Sequence, residues 1–567
     1  MKKNIVYIFM ALVMQFGLTS CDDFLTQVNN TDPNLDTFFD SDEAVFAATA
    51  PLYNYVWYSF NDKFYYGMGD GRSGNINAPW SGYVYPYTNF TETALSEGLE
   101  QAWGSLYSVV AQSNNAINNI RDKSGTGVTQ DAKEQGIAEA RFMRGLAYWY
   151  IASLWGKGII YENTAALVNN SVVPPHRRTD VIEFAIRDLE YAAKYLPRTG
   201  RAAGRLNRYS AFGMLSRVYL SMAGLTTEGA YNGNNIATDF NRGTRNEYYL
   251  NLAKEAALKV VNESSFRLMD NYGDLFKIEN NNNSEAMFQL QWLSGNTDNI
   301  GWGCNQSITS YFGWSTMVSD GTNWGGATFA SWDLVRTYKP EDVKRRHATI
   351  ATYGAEYPEM YKKGGGYIYG VTEAGNDYLQ RCCIRKYVVG TQEDNGVSSK
   401  QSSGINTNML RLAEVYLNLV EAIMGNSTST TDATARTYFN MVRQRAGMPL
   451  VGAEEAITYS DINYERRIEL AVEGQYWYDL VRRAYYRQNE VIGFLNSQER
   501  NAGYEYDAES TEAFEYKWRT EGSGASDATA NSLVLPISDV DNGKNPLLAG
   551  EPIAYEFDAD DKITDLF

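Results

Sequence analysis

The hydrophobic positions of this chain recur mostly with a helical period. Ala102, Leu106, Val109, Ser113, Ile117 and Ile120 mark one amphipathic face, and Met143, Leu146, Ala147, Tyr150, Ile151 and Leu154 mark a second with i, i+3, i+4, i+7 spacing. Gly156 and Gly158 stop that second helix. The face repeats at Ile182–Leu196 and Ala211–Met222. It appears again at Tyr249–Val260, at Met409–Val420, over Ala433–Ala446 and over Tyr464–Arg483. Ser41 or Asp42 caps an earlier helix running through Ala44 to Tyr55. Asp180 with Glu183 has the form of a capping box, and Pro197 closes the helix it opens. Alanine at the packing positions and Leu196-Pro197 at a helix end resemble tetratricopeptide-like repeat units. The predicted fold class is therefore mainly α, a helical-repeat scaffold with a few short strands. Strands are expected at Phe288–Trp292 and Ile384–Val389. Past Ala484 the chain reads as irregular and acidic.

Two stretches break the period. Residues 58–93 and 291–403 read as long irregular insertions in the scaffold, rich in Gly, Asn and aromatic residues. The second holds Trp292, Trp302, Trp314, Trp324 and Trp332, five of the chain's 12 tryptophans. Rings in such loops either pin the loop to the body or are displayed to a ligand. Trp292 and Trp332, at the ends, are expected to pack. A sugar ring lays its C–H face on an indole or phenol while its hydroxyls seek amide, carboxylate or guanidinium partners. Asp70, Arg72, Trp80, Tyr83, Trp302, Cys304, Trp314 and Trp324 supply that mixture and are the candidate ligand-binding residues.

Composition narrows the function further. With 567 residues, 44% hydrophobic and 14% aromatic, the chain has material for a large core. Its net charge of −18 argues against nucleic acid as a partner. Two histidines, His176 and His347, leave little for a metal site or a catalytic triad. Glu465, Glu469 and Glu473 fall on one helical face beside Arg466, Arg467, Arg482 and Arg483, which favours ion pairing over a glycosidase carboxylate pair. No catalytic residue is assigned. Gly67, Gly69 and Gly71 lack the rest of a phosphate loop. Asp558, Asp560 and Asp561 lack the frame of a calcium loop, so a structural calcium has no motif behind it and no cofactor is expected. Cys304, Cys382 and Cys383 read as small buried residues; Cys304, in the tryptophan-rich loop, is also a candidate pocket residue.

The first residues address the chain. Lys2 and Lys3 precede an apolar run from Ile5 to Leu18, too short to span a bilayer, and Leu18-Thr19-Ser20-Cys21 has the form of a bacterial lipobox. Residues 1–20 are then a lipoprotein signal peptide and Cys21 is the lipidated first residue of the mature protein.

Several stretches resemble the SusD/RagB family of lipoproteins. They are Cys21-Asp-Asp-Phe-Leu25, Glu139-Ala-Arg-Phe-Met-Arg-Gly-Leu-Ala-Tyr148, Arg385-Lys-Tyr-Val388 and Arg411-Leu-Ala-Glu-Val-Tyr-Leu417 with Glu421-Ala422. Asn440-Met-Val-Arg-Gln-Arg-Ala-Gly447, Glu465-Arg466, Glu469-Leu470, Glu473-Gly474, Asp479-Leu480, Leu535-Pro-Ile537 and Asn545-Pro546 follow in family order. Tyr476 stands where the family usually has arginine. The resemblance implies that 21–567 is a single SusD-like domain. It further implies a surface-exposed lipoprotein of a Gram-negative outer membrane, which captures oligosaccharides without catalysis and acts with a SusC-like TonB-dependent barrel. A peptide-capturing member of the family is the alternative, and a glycoside hydrolase a more distant one. The family's loop-borne ligand sites transfer no residue by motif.

Overall fold

The computed structural model describes residues 38–167, 170–294, 306–313, 317, 327–372, 381–395, 403–510, 515–518 and 527–567. Helices α1 (Asp42–Thr49), α2 (Leu99–Lys123), α3 (Gln130–Trp155), α4 (Arg178–Tyr195), α5 (Arg208–Leu225) and α6 (Glu247–Glu263) come from the first half. The second half supplies α7 (Leu412–Met424), α8 (Ala433–Ala446), α9 (Tyr459–Glu469) and α10 (Tyr476–Ser497). From α2 to α8 each helix packs on the next, so the chain builds a continuous helical array in sequence order. The apolar faces expected from the period are the buried ones, with Leu106, Met143, Leu189, Leu215 and Leu417 fully enclosed. Gly145 lets α3 and α4 approach closely: a Cβ there would sit 3.0 Å from the Ala185 carbonyl oxygen.

The ends of these helices are built from side-chain caps. Thr129 accepts from the Ala132 N–H at 3.2 Å and Gly156, at φ 70°, closes α3 in the left-handed conformation. Asn207, Asn246 and Asp432 cap α5, α6 and α8. The capping box expected at Asp180 is absent. Arg177 holds the cap position of α4, and Asp180 lies inside the first turn. There it accepts from the Arg177 guanidinium at 2.7 Å and the Tyr231 hydroxyl at 2.5 Å.

Three other expectations need correction. The helix predicted over Tyr464–Arg483 is two helices, because Val472 at φ 62° and Gly474 at φ 67° turn the chain between α9 and α10. Beyond Ala484 the chain is not irregular: α10 continues to Ser497, and Tyr504–Tyr506 pairs with Tyr516–Trp518. The strand predicted at Ile384–Val389 reduces to Cys383–Ile384, since Tyr387 at φ 66° leaves the extended region.

Strands are few and short. β1 (Ile76–Asn77), β2 (Ala286–Leu290), β3 (Phe329–Ala330), β4 (Ile350–Ala351), β5 (Cys383–Ile384) and β6 (Thr407–Arg411) matter most here. β2 pairs antiparallel with β6, and β1, β3, β5 and β4 form one sheet in that order, with every pairing antiparallel.

Beneath these elements lies a buried charge network. Arg411, at the end of β6, meets Glu285 at 2.6 Å, Glu469 at 3.0 Å and Glu473 at 2.7 Å. Arg445 of α8 also reaches Glu285 and Glu469, and Arg345 joins Asp342, Glu465 and Glu469. Lys386 meets Glu473 at 3.0 Å and Arg443 meets Glu465 at 2.5 Å. Five cations therefore face five carboxylates. Burial alone would raise Glu469, but Arg445, Arg411 and Arg345 outweigh it and hold the carboxyl at about 2. Glu465, Glu469 and Glu473 are thus ion-paired as expected. Their partners, though, are arginines and a lysine from other elements, not the neighbouring Arg466, Arg467, Arg482 and Arg483.

Removing one member of a buried pair strands its partner's charge, at a cost of roughly 3–5 kcal/mol. Arg411→Ala, which leaves three carboxylates short of a partner, is expected to destabilise the fold by at least that much. Denaturant unfolding followed by circular dichroism measures it; an unchanged midpoint would show that the network carries no net stability.

Candidate functional site

The first aromatic stretch is not an irregular loop through most of its length. From Phe60 to Arg72 the chain makes wide helical turns, closed for example by the Arg72 N–H donating to the Gly67 carbonyl at 3.0 Å. Phe60, Phe64, Tyr65, Tyr66 and Met68 are buried, as is Tyr87 further on. The glycines serve close approach, not phosphate: a Cβ on Gly69 would lie 2.2 Å from Gly474 Cα.

This burial corrects two of the predicted binding residues. Asp70 is fully enclosed. Its carboxylate accepts from the Asn75 amide at 3.0 Å, the Val472 N–H at 2.8 Å and the Gly474 N–H at 2.7 Å. It ties the helical turns to the turn between α9 and α10, and has no surface to offer a hydroxyl. Burial pushes its carboxyl up to about 6, against the pull of those three donors. Arg72 is enclosed as well, 2.7 Å from Glu92, donating to the Ser532 carbonyl and lying 4.8 Å from the Trp477 ring. The aromatic-flanked Gly-Asp-Gly-Arg run gave no sequence signal separating displayed from buried polar groups.

Trp80 is displayed. It is 69% exposed, on a turn fixed at both ends. On one side Asn77 of β1 pairs with Phe329 of β3; on the other, Ser81 accepts from the Tyr85 N–H at 2.9 Å. β5 lies on the far side of β3, and Arg381 stands just before it in the chain. The Arg381 guanidinium is 4.6 Å from the Trp80 ring and 5.0 Å from the Phe329 ring. Three strands distant in sequence thus deliver an indole, a guanidinium and a phenyl ring to one place. Such a set offers an apolar ring face beside a fixed hydrogen-bond donor group. Neither Arg381 nor Phe329 carried a signal in the sequence, because only strand pairing brings them to Trp80.

Tyr83 follows on the same turn, half-buried, and burial with Glu97 and Asp62 pushes its phenol up. Residues 306–313, from the second stretch, lie against the first. The Tyr311 ring stacks on Tyr66 at 5.8 Å, Phe312 meets Tyr66 edge-on at 5.3 Å, and Ser307 donates to Asp62. The Thr328 N–H donates to the Tyr311 carbonyl at 3.3 Å. The described parts of the two stretches therefore adjoin. Trp302, Cys304, Trp314 and Trp324 lie outside the described residues, as does Cys21. Trp292 packs as expected, its indole N–H donating to Thr407 at 3.0 Å, and Trp332 stacks on Tyr504 at 5.6 Å. Cys382 and Cys383 are buried, as expected. Asp561 bonds Arg141, and among the described residues no group of His, Cys, Asp and Glu is arranged to hold a metal.

Comparison with known proteins places this geometry. Residues 262–552 match the model of the SusD family, and residues 7–220 match a model described as starch-binding associating with outer membrane. A SusD-like protein of Bacteroides ovatus is 36% identical over 92% of this chain and 93% of its own length. The chain belongs to the SusD family. The starch-binding protein SusD of Bacteroides thetaiotaomicron is 24% identical over 74% of this chain and 73% of its own. A crystal structure with xylogluco-oligosaccharide is 34% identical, with a TM-score of 0.79, over 91% of this chain and 100% of that one. A SusD-like carbohydrate binding protein of Bacteroides fragilis shares the fold at a TM-score of 0.68 and 20% identity. SusD family members are carbohydrate-binding proteins and not catalysts, and solved SusD-like structures share the mainly helical fold of this chain.

The corrected role of Asp70 yields a test. Asp70→Ala leaves two buried backbone N–H groups without an acceptor, at roughly 1–3 kcal/mol each. The variant is expected to melt several degrees lower while Trp80 stays displayed and ligand affinity per folded molecule is kept. Weaker binding at unchanged melting temperature would return Asp70 to the binding face.

Proposed function

We propose that this protein captures oligosaccharides at the outer-membrane surface on the face around Trp80, without catalysis or cofactor, and passes them to a TonB-dependent barrel. The observation that carries the reading is Trp80 itself. A large indole held in solvent on a strand-pinned turn, with Arg381 beside it, loses little freedom on binding. Tyr83 and, from the second stretch, Trp302, Trp314 and Trp324 with Cys304 extend the platform in this proposal. The crystal structure with xylogluco-oligosaccharide, at 34% identity, supports a xylogluco-oligosaccharide as the first ligand to try. Each stacked ring contributes on the order of 0.5–1.5 kcal/mol beyond its area term, so several rings with a few hydroxyl hydrogen bonds reach micromolar affinity, about −8 kcal/mol.

Calorimetry on the soluble form starting after Cys21, against a panel of neutral oligosaccharides that includes xylogluco-oligosaccharides, tests this. Trp80→Ala is expected to weaken the bound member about tenfold, roughly 1.4 kcal/mol, with the melting temperature kept. Equal affinity of wild type and variant would remove Trp80 from the site. Tight binding of unstructured peptides with no response to any glycan would favour the peptide-capturing reading.

The lipobox-like Leu18-Thr19-Ser20-Cys21 supports the anchor, and no helix among the described residues is long and apolar enough to cross a membrane. Two or more acyl chains on Cys21 suffice for stable attachment. Cys21→Ala is expected to move the protein from the membrane to the soluble fraction and to abolish its co-purification with an outer-membrane barrel in mild detergent. A variant that stays with the membrane would refute lipid anchoring at this residue.

A further inference from the structure

Far along α10 the helix is broken at Arg487, whose φ of −141° and ψ of 52° leave the helical region. The break is held by the segment before α6. The Gly243 N–H donates to the Tyr486 carbonyl at 2.9 Å and the Gln488 N–H to the Phe240 carbonyl at 3.0 Å. Opposite, the chain leaves α7 through Gly425 at φ 57° and runs on through Asn426 and Ser427. Between them lies a cavity of about 170 Å³, lined by Arg245, Arg483, Arg487, Tyr459 and Ser427 among others. That is smaller than the roughly 300 Å³ at which pockets for drug-sized ligands begin. It suits a small group, not a run of sugar rings.

The charges around it do not balance. Arg245 and Arg482 share Glu421, each at 2.6 Å. Arg483 and Arg487 share Glu490, at 2.7 and 3.6 Å. Asp479, the remaining acid here, divides its oxygens between Arg482 and Arg466. Four guanidinium groups thus meet two carboxylates and part of a third, in a chain whose net charge is −18. The hydrogen bonding shows the same deficit. Arg245 Nε and Arg487 Nε, both buried, have no acceptor, and neither has Arg482 Nη1 behind them. Arg245 is 2% exposed at its side chain, so bulk water does not answer for it. The neutral side chains at the cavity are Ser427, Thr428, Tyr459 and Tyr486, with hydroxyls able to donate, and Asn426, whose amide oxygen already accepts from the Arg245 N–H at 2.8 Å.

We propose that this cavity is an oxyanion site, taking a sulfate, phosphate or carboxylate group between Arg245 and Arg487 with Ser427 at its rim. Guanidinium groups bind such groups through paired N–H donors, and the excess of guanidinium over carboxylate beside the cavity favours an anion there. The occupant is a free inorganic anion or the acidic substituent of a sugar; the chemistry at the arginines is the same. The site is independent of the Trp80 face and stands or falls without it.

The test uses the full mature chain, with sodium sulfate titrated at ionic strength held constant by sodium chloride. Sulfate stabilises proteins generally through exclusion from their surface, so the reference is Arg487→Gln, a change at a side chain that is 38% exposed. A saturable rise in melting temperature in the wild type, with an apparent affinity at least tenfold weaker in R487Q, is expected. The same rise in both proteins overturns the proposal. Crystals soaked in selenate give a second reading that needs no variant. An anomalous peak within hydrogen-bond reach of Arg245 and Arg487 supports the site, and an empty cavity in a crystal that binds selenate elsewhere overturns it. Glucuronate and glucose at equal concentration then identify the source. Displacement of sulfate by glucuronate alone supports the site with a sugar acid as occupant, and displacement by neither supports it with the inorganic anion.

Discussion

Arg411 is the residue on which the two halves of this molecule meet. It stands at the junction of β6 and α7 and draws in Glu285 from before β2, Glu469 from the end of α9 and Glu473 from the turn that follows. Each of those carboxylates is also met by a cation from another element: Arg445, Arg345 or Lys386. Charges removed from water are tolerable only when all are compensated, so the network constrains register more than it adds raw stability. A shift of α9 by one turn would break the pairs of Glu465 and Glu469 together. Burial pulls the Lys386 ammonium down to about 8, against the raising effect of Glu473 in contact.

The network reaches the Trp80 face through the turn that carries Glu473. Val472 and Gly474 present their N–H groups to Asp70, and Gly474 lies against Gly69 with no room for a side chain. The Tyr65 hydroxyl donates to the Glu473 carbonyl in the same place. The helical turns leading to Trp80 are therefore locked to the ion-paired core a few residues before the ring emerges. The four-stranded sheet completes the support, since β1 carries Trp80 on its outgoing end while β3 and β5 bring Phe329 and Arg381 beside it. A ring placed on such a base is held open to solvent without depending on a flexible loop, which is the preorganisation a sugar-stacking surface requires.

The same chain uses its arginines in two ways. In the core they are matched with carboxylates one for one, while at the kink of α10 they outnumber them. The difference is structural: helix α10 bends where the Phe240 and Gly243 backbone meets it, and the bend leaves Arg487 at the cavity with one carboxylate, Glu490, that it shares with Arg483. Matched charge builds a scaffold, and unmatched charge beside a cavity invites a ligand.

Periodicity by itself determined the helical array. The apolar faces of α2 to α8 are set by local spacing, and a helix that buries a stripe must pack it on its neighbour. The ion pairing of Glu465, Glu469 and Glu473 was legible too, because acids at helical spacing amid arginines have few other fates. Tertiary structure decided the partners of those acids, since charge in a buried network is satisfied by whichever element crosses nearby, and sequence distance does not measure that. It likewise decided that Asp70 and Arg72 serve the core while Trp80 faces solvent. Both sides of β1 are rich in aromatic residues; what separates them is that Gly69 lies against Gly474, while Trp80 stands on the turn after β1, uncovered. Exposure is a property of what covers a residue, and the cover here comes from hundreds of residues away.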